Sequence, residues 1–256
     1  MEEDSLAGLP AVDDPELEWK FCVGAPPAML MLGVLFHLFA PFLQRTFLAM
    51  PVHELGHAAT AWLCGYFAVP TLWKTLVPDE RGLVAPLLLA GGMAWMTARA
   101  WRAEKPALAA LGAGVLLLAA IGTLGLKYKT TQMLIVFGGD GLGMVFATAL
   151  MATFFLGKDT QLYRGSLRWG FLAIGAAAFV DIFSVWLAAR RDYGRIPFGE
   201  QEGGLLSDAT RLVDDFGWTA DQLVNRYLGL GVCCLIALVL VYAWGVRQAW
   251  LQKEKV

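Results

Sequence analysis

Charge is scarce in this sequence. Lysine, arginine, aspartate and glutamate together make up 16% of the 256 residues, where a soluble globular chain carries roughly a quarter. The charge that is present is nearly balanced, at a net −2, so there is no basic surplus to recruit nucleic acid. Cysteine is sparse too: Cys22, Cys64, Cys233 and Cys234 show no CxxC spacing, which removes the usual signature of a structural zinc or dithiol motif. Cys64 and the Cys233-Cys234 pair lie in apolar runs and read as small buried hydrophobes. Histidine occurs three times and asparagine once, at Asn225.

What fills the sequence instead is apolar: 57% of it is hydrophobic, which argues against a water-soluble domain of this length and for a multi-pass membrane protein. The first residues are the exception. Residues 1–24 read as an acidic tail, with Glu2, Glu3, Asp4, Asp13, Asp14, Glu16 and Glu18 against Lys20. A secretory signal would place positive charge there. Apolar runs then follow at residues 25–43, 51–69, 82–98, 107–126, 132–156, 169–189 and 228–246. The run at 82–98 is short for a crossing, so the reading is about six or seven spans. The expected fold is all-α, a polytopic transmembrane bundle forming a single domain over residues 25–250, with a polar connection at 190–226. Thr219 and Gln222 have the spacing of a capping box and would start the last helix.

Two of the three histidines stand in His53-Glu54-Leu55-Gly56-His57, inside the second apolar run. On a helix, positions i and i+4 share a face one turn apart, so two imidazoles can grip one metal ion. Glu54 projects beside such an ion, where it can take a proton from a water. An ionisable residue at a span's centre costs about 2.5–3.5 kcal/mol on insertion scales, and a bound Zn²⁺ would offset three such residues at once. A catalytic zinc needs a third protein ligand. The candidates are Asp140, within Phe137-Gly138-Gly139-Asp140-Gly141, and Asp181, within Phe179-Val180-Asp181-Ile182, each a carboxylate inside an apolar run. His37 is a further possibility. Asp140 is preferred, because Gly138, Gly139 and Gly141 remove bulk and let its backbone approach another helix. Gly139 and Gly143 alone could instead mark helix packing. At 1.5 Å per residue, His57 lies about 9 Å from Pro51 along its helix and Asp140 about 12 Å from Gln132 along its own.

The HExxH in one span and the Asp140-Gly141 pair 83 residues after His57 resemble the site-2 protease family of intramembrane zinc metalloproteases. Leu206-Ser207-Asp208-Ala209 and the apolar run before it are similar to a short-form branch of the same clan. The resemblance implies that His53, His57 and Asp140 are zinc ligands, one Zn²⁺ per chain, and that Glu54 is the catalytic base. It implies an integral multi-pass endopeptidase whose substrate is a transmembrane segment of another protein in the bilayer. The chain departs from the family pattern in one respect. No proline lies between Pro106 and Asp140, and Asn225 is the only asparagine, so the family's NxxP arrangement before the Asp-Gly is missing. There is also no room for the PDZ or nucleotide-sensing domains of longer members. Two other readings compete: a non-proteolytic metal-binding, chaperone or signalling module, and a metal-ion transporter that uses His37, Asp140, Asp181, His53 and His57 as way-stations.

Overall fold

The computed structural model describes residues 14–82, 84–157, 160–163, 167–201 and 205–254. Residues 1–13 of the expected acidic tail lie outside them. The architecture is all-α. Its helices are α1 (Pro15–Phe39), α2 (Pro41–Gln44), α3 (Met50–Leu63), α4 (Val84–Arg102), α5 (Pro106–Ala120), α6 (Tyr128–Ala152), α7 (Leu167–Arg191), α8 (Asp208–Asp214) and α9 (Ala220–Lys253). Among the described residues, sheet is confined to two short antiparallel hairpins. One is β1 (Val69–Pro70) with β2 (Thr75–Leu76); the other is β3 (Glu200–Gln201) with β4 (Leu205–Leu206).

Five helical stretches among the described residues are long and apolar enough to cross a membrane: Pro15–Phe39, Pro106–Gly125, Tyr128–Phe155, Leu167–Arg191 and Ala220–Lys253. The expected span at 51–69 is not one of them. Its helix, α3, continues without a break from α2 through a π-helical turn at Arg45–Ala49, so it is not short; Gln44, Arg45, His53, Glu54 and His57 make it too polar to count as a span. Gly65 then turns the chain with φ of 85°, and the remaining apolar residues enter a loop and β1. The run at 82–98 becomes α4, which ends on Arg99 and Arg102 and is likewise not among the five. The first helix starts ten residues before the expected span. Asp14 caps it, its Oδ1 accepting from the main-chain N–H groups of Glu16 and Leu17 at 2.9 and 3.4 Å, and Pro15 occupies the first helical position, where its missing N–H costs nothing.

The contacts divide the chain into two compact units where the sequence suggests one domain. The first comprises Met1–Val52, Gly143–Ile196 and Ala220–Val256, and packs α1, α7 and α9 against one another. Close approach is bought with glycine: a Cβ on Gly175 would lie 2.6 Å from the carbonyl oxygen of Ala147. The Trp186 and Tyr227 rings stack at 4.1 Å. A buried ion pair joins α1 to α7, with Arg168 Nη2 and Nη1 donating to Glu18 Oε1 and Oε2 at 2.7 and 3.0 Å, and Tyr163 donating to Oε2 at 2.8 Å. This pair explains the early start of α1, since Glu18 is buried here and does not belong to a solvated tail. Cys22, Cys64 and Cys234 are buried and Cys233 is exposed; all four are free thiols.

The second unit comprises His53–Leu142 and Pro197–Thr219. Its core gathers Ala58, Ala61, Cys64, Tyr66, Ala68 and Ile135. The small residues of α3 leave room for α6 to lie close. A Cβ on Gly138 would strike Thr60 Oγ1 and come within 3.1 Å of the Gly56 carbonyl oxygen. Arg81 closes the far end, donating to the carbonyls of Thr123 and Leu126 at 2.8 Å each. The same unit holds every residue of the site described next.

Candidate metal centre

Helix α3 aims both motif histidines at one point. Nε2 of His53 and Nε2 of His57 stand 3.1 Å apart. The third group there is Asp208, the first residue of α8. That helix starts where it does because Ser207 caps it, its Oγ accepting from the Thr210 N–H at 3.2 Å. Asp208 Oδ2 lies 3.2 Å from His53 Nε2 and 3.0 Å from His57 Nε2. The three atoms form a nearly equilateral triangle. Donors held about 2.0–2.1 Å from a tetrahedral zinc would stand about 3.3 Å apart, so the triangle has the dimensions of one face of such a site.

The far side of each ring decides what the near side can do. His57 Nδ1 lies 2.7 Å from the main-chain carbonyl of Ile135. A carbonyl only accepts, so Nδ1 carries the proton and, in the neutral ring, Nε2 presents its lone pair. His53 Nδ1 lies 2.8 Å from Asp140 Oδ1, and an ionised carboxylate has the same effect. Two ring lone pairs and a carboxylate oxygen therefore converge within 3.2 Å, and they repel one another unless a proton or a cation sits among them. Asp208 Oδ2 is buried and, among the described residues, receives no well-directed hydrogen bond. Burial alone would raise the Asp208 carboxyl, but when protons occupy the two rings, their charge and hydrogen bonds outweigh that and hold it far below the usual carboxylate range. Metal-binding imidazoles commonly donate their second N–H to a carboxylate or a main-chain carbonyl, and both arrangements occur here. The donor set therefore fits a divalent cation of the zinc class.

Comparison with protein-family models, curated proteins and solved structures finds no match for this chain. The geometry alone must assign the roles.

That geometry moves one of them. Asp140 was expected to be the third ligand, but its short contact is with His53 Nδ1, the nitrogen that points away from His57. The three donors that lie mutually close belong to His53, His57 and Asp208. Asp140 is placed to orient His53. The cause is the packing of α6 on α3. At Gly139 a Cβ would lie 2.5 Å from His57 Nε2 and 2.6 Å from His53 Cε1, so the helix backbone itself rests on the two rings. The side chain of the next residue then leaves sideways and reaches the back of His53. The glycines do allow the close approach expected of them. Asp181, the other candidate, accepts from Arg45 Nη1 at 3.0 Å and lies 3.3 Å from His37 Nδ1, so that acid and that histidine meet each other.

Glu54 is buried, 4% exposed. Its Oε2 accepts a hydrogen bond from Thr75 Oγ1 at 2.7 Å. Sequence reasoning missed Thr75 and the Ile135 carbonyl, and it marked Asp208 only within Leu206-Ser207-Asp208-Ala209, without a ligand role. The carbonyl and the threonine carry no chemical signature in sequence, and Asp208 sits in a polar connection with Asp214 and Asp215, where composition alone gives it no ligand role.

Proposed function

We propose that this chain is a membrane-embedded zinc metallopeptidase that hydrolyses peptide bonds in or near the transmembrane helices of other membrane proteins. The observation that carries the reading is the triangle formed by His53 Nε2, His57 Nε2 and Asp208 Oδ2, with a buried carboxylate, Glu54, next in sequence to one of its corners. A purely structural metal site has no use for that carboxylate. When bound, a zinc ion supplies Lewis acidity, which polarises a carbonyl and acidifies a water.

The chain's own groups carry the remaining work. His53, His57 and Asp208 hold the cation. Asp140 and the Ile135 carbonyl keep both rings in the tautomer that presents Nε2. Glu54 takes a proton from the attacking water as its oxygen bonds to the peptide carbon, and returns that proton to the amine nitrogen as the carbon–nitrogen bond breaks. One water is consumed, and an acid and an amine are released. Within a helical substrate the scissile carbonyl is tied to a main-chain N–H four residues on. The substrate must therefore unwind locally, and cleavage is expected beside helix-breaking residues.

The test uses purified full-length protein in detergent micelles and a fluorescently tagged model transmembrane segment with a central Gly-Pro. Glu54→Gln should retain its zinc and lose cleavage by about 10²–10⁴-fold, the range of general acid–base catalysis. Cleavage by Glu54→Gln at the wild-type rate would overturn the mechanism.

A further inference from the structure

We infer that Thr75 is the positioning residue for Glu54; this rests on the reading of Glu54 as the proton carrier. A glutamate on α3 has three rotatable side-chain bonds and could point its carboxylate in several directions. One hydroxyl removes that freedom. Thr75 Oγ1 lies 2.7 Å from Glu54 Oε2 and 2.8 Å from the main-chain carbonyl of the same residue. The side chain of Glu54 is thus held against its own backbone, with Oε2 fixed.

Thr75 is itself well anchored. It belongs to β2, paired with Pro70 of β1 in an antiparallel hairpin. The turn of that hairpin is tied by Thr71 Oγ1, which donates to the Lys74 carbonyl at 2.6 Å. A β-branched side chain on a strand also has a stiff χ1. The hydroxyl has one proton and faces two acceptors, so it donates to one at a time. Donation to the carboxylate is the stronger, charge-assisted bond. Once Glu54 has taken up a proton, the same hydroxyl can accept from it and turn its own proton to the carbonyl. Thr75 thus has a satisfactory partner arrangement at both ends of the proton's journey, which valine, of equal shape, lacks.

The test does not need the natural substrate. Acetohydroxamic acid chelates zinc and can pass its N–O–H proton to a neighbouring carboxylate as it binds, so its affinity for the zinc-loaded full-length protein reports how well Glu54 is placed. Thr75→Val and Thr75→Ala should each weaken binding about tenfold, as expected for loss of a hydrogen bond to a charged group. Thr75→Ser, which keeps the hydroxyl, should stay within about twofold of wild type, and zinc content should be unchanged in all three. If Glu54→Gln weakens binding while both hydroxyl-free variants bind as wild type does, Thr75 does not position Glu54. If both hydroxyl-free variants lose zinc, its role is structural and the assignment is overturned. If Glu54→Gln itself binds as tightly as wild type, the underlying reading of Glu54 fails, and this inference with it.

Discussion

Replacing each of two aspartates by asparagine separates a ligand from an orienting group. Asp208→Asn removes a charge from the corner of the donor triangle, where its oxygen stands 3.0 and 3.2 Å from the two ring nitrogens. Structural zinc sites with four ligands bind with about 10–16 kcal/mol, or about 2.5–4 kcal/mol for each ligand. At 1.4 kcal/mol per tenfold, that is a loss of about 10²–10³ in zinc affinity. Asp140→Asn is milder by the same geometry. An amide oxygen can still accept from His53 Nδ1 at the position where Asp140 Oδ1 now stands, 2.8 Å away, so the ring keeps its orientation and loses only a strong acceptor. Outer groups of this kind are worth about 10–100-fold, and with the hydrogen bond retained the lower end is expected. Asp181→Asn is the control: its carboxylate is engaged by Arg45 and His37, and zinc affinity should not change. The assay is competition with a chromophoric zinc chelator at fixed pH in detergent micelles. A larger loss in Asp140→Asn than in Asp208→Asn would refute the assignment.

Further substitutions test the packing that builds the site and the frame. Gly139→Ala would press a methyl group against His57 Nε2 and both Cε1 atoms at 2.5–2.6 Å, so zinc should be lost, whereas Gly170→Ala, with nothing within 4 Å, should retain it; metal analysis distinguishes them. Arg168→Ala leaves the buried Glu18 carboxylate without its 2.7 Å partner and should lower stability by about 3–5 kcal/mol, read as a drop in thermal unfolding temperature in detergent. The double variant Glu18→Gln with Arg168→Met should recover much of that loss, because no uncompensated charge remains.

The parts of this account that sequence made legible are those that follow from periodicity or from expense. His53 and His57 are one helical turn apart in any α-helix, so their convergence could be read directly. Asp140 and Asp181 stood out because a carboxylate in an apolar run demands a partner, and each has one. Which partner is a matter of a fraction of a helical turn. Asp140 meets Nδ1 of His53 because α6 lies against the rings at Gly139, and no spacing encodes that. The ligand role of Asp208 was hidden for the opposite reason: in a polar connection an aspartate is cheap, so only the resemblance around Leu206-Ser207-Asp208-Ala209 marked it, without a role. The apolar runs at 107–126, 132–156, 169–189 and 228–246 all became long helices. The run at 51–69 is helical only as far as Leu63, because its last residues are apolar for a different purpose. Tyr66 and Ala68 fill the core beside Ile135, and Val69 begins the hairpin that carries Thr75 to Glu54. Hydrophobicity marks burial in protein and burial in lipid alike, and here the polar residues set into the run, His53, Glu54 and His57, separate them.

The most direct measurement is X-ray absorption at the zinc edge on the purified full-length protein after loading with one equivalent of zinc. The expected result is one tightly held ion per chain, with a first shell of two imidazole nitrogens and oxygen donors at about 2.0–2.1 Å, and loss of that ion in His53→Ala and in His57→Ala. A zinc ion that keeps its wild-type affinity and spectrum in both alanine variants, or a shell without imidazole, would contradict it.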